Sequence, residues 1–205
     1  NPDIPKDTDH ANYIAQSKKD IELLFEELKD ILAAVKSPDL AGLIKSFLTD
    51  AGFVELFKHT PAAIEYHHAY VGGLLEHTVN ILNLARQITS YYHAVIDSDL
   101  LLTGIFLHDL GKTREYEVQI TPRMTDQGML LGHTIIGIQL LEEKARDIAD
   151  LSPERLTLLK HLIASHHGQH DFGAPVLPMT PEAFILHYLD YLDARIGEYQ
   201  ALLEK

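Results

Sequence analysis

Apolar residues near the start of the chain recur three and four positions apart, with glutamate and lysine between them. This is the spacing of one face of an α-helix, and it extends from Tyr13 to about Val35. Residues 1–10 contain two prolines and three aspartates and lack this period. The pattern predicts an N-terminal amphipathic helix after a linker or extended arm at 1–12. Its apolar face would pack on the domain or on another subunit, and the second case predicts a homo-oligomer.

A recurring dipeptide marks the expected starts of further helices. A hydroxyl residue that can cap a helix stands before a proline, which suits the first helical position, at Ser37-Pro38, Thr60-Pro61, Ser152-Pro153 and Thr180-Pro181. These pairs predict helices that begin near residues 38, 61, 153 and 181. Two more are expected to begin near Ser98 and near Gly132-His133. The chain is therefore predicted to be almost entirely helical.

Two segments depart from the helical pattern. Tyr116–Ile120 alternates apolar and polar residues between turn signals, so 114–131 predicts a short irregular hairpin or loop, with a second turn at Asp126–Gly128. Residues 168–180 contain Gly and Pro breaks and predict a long loop, a feature that is often functional. The predicted fold class is all-α, a helical bundle with a short irregular hairpin or loop and an N-terminal helical arm.

Composition limits the classes of protein to which the chain can belong. Its 205 residues, 46% of them apolar, suffice for one sizeable core. We expect an arm at 1–12, an N-terminal helical segment at 13–59 and one domain at 60–205. The absence of cysteine excludes disulfides, zinc ribbons and thiol nucleophiles. The formal charge of −13 opposes strong non-specific binding to nucleic acid, which depends on Lys and Arg.

The hydropathy of the chain and its first residues are used to predict the cellular location of the protein. No apolar run approaches the ~18 residues that a membrane span needs, and no signal peptide is visible. We therefore expect a cytoplasmic enzyme that does not associate with a membrane. The chain begins at Asn1 without an initiator methionine, as a processed or trimmed piece of a longer protein would.

An apolar run that starts at Leu101 ends in His108-Asp109, and Gly111 and Lys112 follow. At helical spacing His108 continues the buried stripe, and Gly111 suits a C-terminal cap in the left-handed conformation. A buried His-Asp pair needs partners. A hydrogen-bonded helix end would supply them, and so would a divalent cation, because imidazole and carboxylate both bind Zn, Mn and Fe. Lys112 would then lie beside the site and could meet an anionic substrate.

Further polar residues share this placement. His77, His133 and His166 each lie on the apolar face of a predicted helix, and Asp190 lies one turn beyond Leu186. Each histidine alone would be a core residue with one hydrogen bond. Together with the His-Asp pair, these groups are difficult to pair separately in a core. Convergence on shared cations would satisfy all of them, as in metal sites between facing helices.

The order of these residues, His, His-Asp, His, His and Asp, resembles the HD-domain metal-dependent phosphohydrolase superfamily. The segments around them resemble its YhaM-type 3′–5′ exoribonuclease branch: His67–Thr78, Leu130–His133, Ser165–Gly168 and Leu186–Arg195. The resemblance spans roughly residues 60–197. Members of that branch carry an oligonucleotide-binding OB-fold domain ahead of the HD domain, whereas the preceding residues here are predicted to be an arm and helices. Either that domain has been cut away or this relative lacks it.

The resemblance also implies a ligand set. A first metal ion would be bound by His77, His108, Asp109 and Asp190. A second would be bound by His133, His166 and Asp109, which would bridge the two ions. His167 is an alternative to His166. The cofactors are thus one or two divalent metal ions, for which Mn, Fe, Co, Zn and Ni are all candidates.

The predicted activity is that of a divalent-metal phosphodiesterase, and more specifically the catalytic part of a 3′–5′ exoribonuclease acting on single-stranded RNA. The ions would activate water and clamp the reacting oxygens. The candidate catalytic residues are Asp109, Lys112, His161 and His167. Secondary candidates are His68 and Asp193 as ligands or orienting groups, Arg123 and Arg195 for phosphate, and Tyr66, Tyr70 and Phe172 for base stacking.

Three other functions fit the same residues. An HD-type hydrolase of nucleotides or cyclic dinucleotides would use the same ions on a smaller substrate. A di-iron HD-type oxygenase could use the same ligands, and iron-dependent oxygen uptake would identify it. A non-catalytic module would be expected to lack ligands, and every expected position is filled here.

Overall fold

The computed structural model describes residues 19–63, 70–117 and 122–203. Within them the regular secondary structure is helical apart from one pair of short strands, so the predicted all-α class is confirmed. The first helices are α1 (Ile21–Leu32), α2 (Pro38–Leu48), α3 (Ala51–His59), α4 (Gly73–Tyr92) and α5 (Ser98–Leu107). After them come α6 (Lys112–Glu115), strands β1 (Tyr116–Glu117) and β2 (Arg123–Met124), α7 (Asp126–Ala145), α8 (Pro153–Ser165), a one-turn 3-10 helix (His170–Phe172) and α9 (Pro181–Leu203).

The predicted amphipathic helix is α1, and its apolar face lies inside the chain. The Asp20 carboxylate accepts two backbone hydrogen bonds from the first turn and caps the helix. Leu28 and its neighbours on the same face are buried, and α1 packs against α4. The helix ends at Leu32, while residues 13–18 of the predicted pattern lie outside the described residues. A homo-oligomer formed through this helix stays a prediction.

Four of the predicted helix starts are confirmed, at Pro38, Ser98, Pro153 and Pro181. The start predicted at Thr60-Pro61 was wrong, because 60–63 are not helical and the next described helix begins at Gly73. The Thr60 hydroxyl donates back to the Leu56 carbonyl at 2.7 Å. Its backbone is extended, with φ −69° and ψ 134°, as expected before a proline. Thr60 therefore ends α3.

The predicted hairpin is present as β1 and β2, which pair antiparallel with Tyr116 opposite Met124. The second turn predicted at Asp126–Gly128 was wrong, because these residues form the first turn of α7. The Thr125 hydroxyl caps that turn by accepting the Gly128 N–H at 2.9 Å. The helix then bends at Gly132, whose φ of 70° is not helical, so a second helical run begins where the sequence predicted one.

Helix α5 lies at the centre of the bundle because it is apolar on every side. All residues of Leu100–Leu107 are buried, and the helix contacts α2, α4, α8 and α9. A helix without a polar face belongs in a core. Gly104 permits the close approach of α8, since a Cβ there would lie 2.4 Å from a Leu162 methyl carbon. The buried end of α5 therefore places His108 and Asp109 inside the bundle.

The surrounding helices share one hydrophobic core with α5. Residues of α1, α2 and α3 belong to the same buried cluster as those of α4, α5, α7, α8 and α9. An aromatic group within it, Phe47, Phe53, Phe57 and Phe106, has ring centroids 5.0–5.9 Å apart. The domain boundary predicted at residue 60 stays a prediction. Among the residues that the structure describes, no helix combines the length and hydrophobicity of a membrane span.

Candidate metal centre

Six side chains from separate segments meet at the buried end of α5. They are His77 on α4, His108 and Asp109 just after α5, His133 on α7, His166 at the end of α8 and Asp190 on α9. Each has a side-chain nitrogen or oxygen within 3.7 Å of one from another member of the set. The structure thus brings together every residue that the sequence predicted as a metal ligand.

Four of these residues, His77, His108, Asp109 and Asp190, form the first group. The Nε2 atom of His77 lies 3.1 Å from Asp190 Oδ1 and 3.8 Å from Asp109 Oδ2. The Nε2 atom of His108 lies 3.4 Å from Asp109 Oδ2 and 4.0 Å from Asp190 Oδ1. Ligand atoms about 2.1 Å from one cation lie about 3–3.5 Å from each other. The first group therefore has the spacing of a cation site.

The other carboxylate oxygen of Asp109 faces a second group, which consists of His133, His166 and His167. Asp109 Oδ1 lies 3.6 Å from His133 Nε2 and 3.7 Å from His166 Nε2. The three histidines can each direct one ring nitrogen to a common point, with these nitrogens within 4.8 Å of one another. Asp109 therefore stands between two clusters of donor atoms, with one oxygen toward each.

Several buried atoms of these groups have no hydrogen-bond partner among the described residues. They include His108 Nε2, Asp109 Oδ1, His133 Nε2 and His167 Nδ1. A buried polar atom without a partner costs about 1–3 kcal/mol. All four belong to the first or second group, so a bound cation at each would supply the partner that the protein does not. The residues present therefore fit divalent metal ions.

Hydrogen bonds on the far side of two imidazoles fix their orientation. His108 Nδ1 donates to the Ile105 carbonyl at 2.6 Å, and His166 Nδ1 donates to the Ile163 carbonyl at 2.7 Å. Because Nδ1 bears the proton in these bonds, Nε2 is left with a lone pair that faces the centre. This is the usual way in which a protein prepares histidine as a metal ligand.

Carboxylates orient the other two imidazoles. The Nδ1 atom of His77 lies 2.7 Å from Asp193 Oδ2, and that of His133 lies 3.3 Å from a Glu115 oxygen. Glu115 also accepts the backbone N–H of His133 at 2.9 Å. These contacts leave Nε2 of His133 directed at Asp109, and Nε2 of His77 directed at Asp190 and Asp109. Asp193 was a secondary candidate in the sequence, whereas the role of Glu115 was missed.

Burial and charge act in opposite directions on the ionisable groups of the centre. Burial opposes ionisation of Asp109, but the ammonium of Lys112 and the nearby imidazoles hold its pKa well below the usual range. Burial lowers the pKa of His166 far below its usual value. For His77 burial has the same tendency, but hydrogen bonds to Asp190 and Asp193 prevail and raise its pKa to about 9. In the metal-free protein the centre thus contains ionised Asp109, neutral His166 and charged His77.

Gly111 has a different role from the predicted one. The sequence assigned it to a left-handed cap, but its φ of −58° is helical. A Cβ at this position would lie 1.9 Å from the carbonyl oxygen of His133. Glycine is therefore needed because the turn after Asp109 packs directly on the backbone of α7. That contact places His133 next to Asp109.

A cavity of about 260 Å³ adjoins the centre. Asp109, Lys112 and His167, three of the predicted catalytic residues, line it together with Asp190 and Arg195. The Lys112 ammonium lies 2.6 Å from Asp109 Oδ2, which agrees with its predicted position beside the site. Burial, and next the His133 imidazole, lower the pKa of His167, which favours a neutral ring.

The fourth predicted catalytic residue, His161, does not join this group. Its Nε2 atom accepts the backbone N–H of Met179 at 2.9 Å, and the residue does not line the cavity. It precedes His166 by five residues, which is about 140° around a helix. The two histidines therefore face different sides of α8.

The secondary candidates have varied positions. Arg195 and Phe172 line the cavity, and Arg123 is exposed on β2. The Tyr70 hydroxyl donates to Glu76 at 2.8 Å. The remaining two, Tyr66 and His68, lie outside the described residues. Sequence reasoning also missed His187 and Tyr191 as cavity residues, because their neighbours come from the loop at 168–180.

Comparison with known proteins shows the family to which this chain belongs. The family model described as HD domain matches residues 74–195, more than half of the chain. A second family model, whose description names a helicase, matches residues 8–99, which is less than half. No solved structure matches the chain.

Curated relatives match most of the chain. The protein named 3′-5′ exoribonuclease YhaM is 37% identical over 182 residues in both Bacillus velezensis and Bacillus subtilis. Its namesake in Bacillus pumilus is 35% identical over 181 residues. These matches cover 88–89% of this chain but only 56–57% of the relatives. By the HD domain match and these identities, the chain belongs to the HD domain family.

Proposed function

We propose that this chain is a metal-dependent phosphodiesterase that removes nucleotides from the 3′ end of single-stranded RNA. The observation that carries the proposal is the position of Asp109, whose two oxygens face two different sets of imidazole nitrogens. A carboxylate placed in this way can bridge two cations. The curated relatives are named 3′-5′ exoribonucleases, and their names support the same activity here.

The proposed ligands divide into two sets that share Asp109. The first set is His77, His108, Asp109 and Asp190, and the second is Asp109, His133 and His166, with His167 within reach. Bound divalent ions would lower the pKa of a bound water molecule and would neutralise charge on the reacting phosphoryl oxygens. Nitrogen and oxygen ligands of this kind suit Mn, Fe, Co, Zn and Ni, and metal availability selects among them.

Lys112 has two proposed roles. Its ammonium lies 2.6 Å from Asp109 Oδ2, so it favours the ionised carboxylate. It also lines the cavity, where its charge would meet a phosphoryl oxygen of the substrate. Loss of one such contact from a site that excludes water typically costs about 3 kcal/mol of transition-state stabilisation. A cation in this position also favours a phosphate ester as substrate over the oxygen chemistry of a di-iron oxygenase.

His167 is the proposed group for proton exchange with the substrate. Its Nδ1 atom is buried and has no partner among the described residues, and its ring lines the cavity. Because burial lowers its pKa, the ring is neutral at pH 7, can accept a proton at its unprotonated nitrogen and can then return that proton. His161 has no proposed role in the reaction, since its ring nitrogen binds the Met179 backbone.

The shape and charge of the cavity bear on the substrate class. The cavity has a volume of about 260 Å³, which is small beside the ~300–1,000 Å³ of typical ligand pockets. Lys112 and Arg195 line it but are paired with Asp109 and Glu198, so the proposed cations would supply most of its positive charge, while the chain as a whole has a charge of −13. Electrostatic attraction is therefore local, and we expect the chain to act on strand ends rather than to bind long nucleic acid tightly.

A substrate panel with one inactivating variant tests the proposal. The purified protein, supplied with Mn²⁺, should shorten single-stranded RNA from its 3′ end and release nucleoside monophosphates. His108→Ala should lower the rate by about a thousandfold while circular dichroism retains the helical signal. His93→Ala, which changes an exposed histidine beyond α4, is the matched control and should keep full activity.

The panel also contains single-stranded DNA, a cyclic dinucleotide and an aryl phosphodiester. Preferred hydrolysis of one of these would change the assigned substrate but keep the site. Full activity of His108→Ala would show that the reaction takes place elsewhere. Metal analysis of the purified protein accompanies the assay, and protein that binds no divalent ion would contradict the proposed centre.

A further inference from the structure

Two aromatic side chains with nearly parallel rings line the accessible part of the cavity. Phe172, in the 3-10 helix, and Tyr191, in α9, have ring centroids 6.4 Å apart and ring planes 8° from parallel. They are 52% and 47% exposed, so about half of each side chain remains accessible. Both line the same cavity as Asp109 and Lys112. Flat apolar surface is therefore presented to whatever enters the cavity.

The loop that carries Phe172 is fixed by its own hydrogen bonds. The Ala174 N–H donates to the Gln169 carbonyl at 3.1 Å, and the His170 ring donates to the Ala174 carbonyl at 2.9 Å. Gly173, with φ 91°, ends the short helix in the left-handed region. A prearranged aromatic ring loses little conformational entropy when a ligand binds.

The other ring is connected closely to the proposed metal centre. Tyr191 follows Asp190 directly in α9, and its ring centroid lies 6.3 Å from that of His187. His187 in turn donates through Nδ1 to the His166 carbonyl at 2.9 Å. The His187 side chain therefore lies between the aromatic pair and the second group of ligands.

The cavity is lined by both charged and aromatic side chains. Lys112 lies against Asp109, next to the proposed metal ions, whereas Phe172 and Tyr191 lie toward the surface. Arg195, one helical turn after Tyr191, also lines the cavity and forms an ion pair with Glu198. A ligand with a phosphate at one end and a flat apolar ring at the other would match both surfaces.

We propose that Phe172 and Tyr191 form a base-stacking subsite for the terminal nucleotide of the substrate. The nucleobase stacks on the aromatic pair while the adjacent phosphate lies toward Asp109 and Lys112. Stacking accepts every base because each has a π-face, so the subsite selects for the presence of a base and not for its identity. The inference rests on the proposed function, since it names the part of the substrate that this cavity recognises.

The kinetic test compares two RNA oligonucleotides that differ only in whether the 3′-terminal nucleotide has a base. Phe172→Ala and Tyr191→Ala should raise KM for the base-containing RNA about tenfold or more, with kcat changed much less. Hydrolysis of the RNA with an abasic end should be unchanged. Tyr191→Phe, which keeps the ring, should behave as wild type. Phe184→Ala is the matched control, because Phe184 is a half-exposed aromatic residue of α9 that does not line this cavity.

Equal losses on both oligonucleotides, or no loss on either, would overturn the subsite. A binding measurement separates this outcome from failure of the proposed function. The probe is 2-aminopurine riboside 5′-monophosphate, which has no phosphodiester bond and whose fluorescence is quenched by stacking. Wild-type protein should quench it and Phe172→Ala should not. Quenching that persists in the variant, or is absent in the wild type, contradicts the inference even if RNA is not a substrate.

Discussion

The two groups of ligands on either side of Asp109 differ in how deeply they are buried. In the first group, His77, His108 and Asp109 are 0–2% exposed, and Asp190 is partly buried. In the second group, His166 is 2% exposed, but His133 and His167 are only partly buried, and His166 and His167 line the cavity. Most of the first group thus lies within the core of the bundle, with Asp109 and Asp190 at the cavity, whereas two of the three histidines in the second group are more accessible.

This difference indicates different roles for the two proposed ions. An ion in the first group would join α4, the end of α5 and α9, so it would stabilise the fold as well as the site. An ion in the second group would have more access to solvent and substrate, and would exchange more readily. Both groups include Asp109. Substitutions in one group or the other test whether the two proposed ions have different roles.

The largest effect is expected for the residue that both groups share. Asp109→Ala removes one oxygen from each group, so bound metal should fall from two ions per chain to none. Activity should fall by about a thousandfold or more. Metal analysis of dialysed protein together with the RNA assay measures both quantities. One ion retained at full affinity in Asp109→Ala would show that Asp109 does not bridge.

The next effect separates the two groups from each other. His77→Ala should remove the first ion and His133→Ala the second, leaving one ion per chain in each variant. Because a ligand at a thousand times its Kd stabilises the folded state by about 4 kcal/mol, loss of the first ion, which would join more deeply buried ligands, should lower Tm more than loss of the second. Thermal unfolding with and without a chelator measures the change in Tm. Equal changes in the two variants would show that the two ions stabilise the fold equally.

The pH dependence of binding should also differ between the groups. Metal-free His77 has its pKa raised to about 9 by Asp190 and Asp193 against the opposing effect of burial, so below that pH an ion must displace its proton. Affinity in the first group should therefore fall about tenfold for each pH unit below 9. His166 has a pKa lowered by burial and does not compete in this way.

Titration of Mn²⁺ into the two single-ion variants at pH 7, 8 and 9 measures this difference. His133→Ala, which retains the first group, should bind more tightly as the pH rises. His77→Ala, which retains the second group, should respond less over the same range. A flat profile for His133→Ala would contradict the assigned protonation of His77.

The smallest effects are expected for the carboxylates that orient imidazoles. Asp193 contacts His77 at 2.7 Å, and Glu115 contacts His133 at 3.3 Å. Asp193→Asn should weaken only the first group and Glu115→Gln only the second, each by about 10–100-fold in metal affinity. Titration with Mn²⁺ measures both. If either variant weakens metal binding in both groups equally, the carboxylate stabilises the fold as a whole and does not act by orienting one imidazole.

Much of this arrangement could be predicted because apolar patterns fix which side of a helix is buried. The run Leu100–Leu107 has no polar face, so the His-Asp pair after it had to be buried. The same reasoning placed His77 and His166. Helix geometry alone could also have separated His161 from His166, since five residues correspond to about 140° of rotation.

What could not be predicted depends on contacts between distant segments. Glu115 orients His133 only because the turn at Gly111 packs on α7, and no local pattern encodes that contact. The parallel rings of Phe172 and Tyr191 likewise come from a loop and a helix that meet in space. The failed prediction at Thr60-Pro61 had a local cause, because the same hydroxyl and proline can end a helix as well as begin one.

An anomalous difference map from crystals grown with Mn²⁺ would show directly whether the centre binds two cations. Two peaks about 3.5–4 Å apart, one on each side of the Asp109 carboxylate, are the predicted result. One peak should lie among His77, His108 and Asp190, and the other beside His133 and His166. Absence of both peaks, or metal bound only elsewhere, would contradict the central claim that Asp109 joins two cation sites.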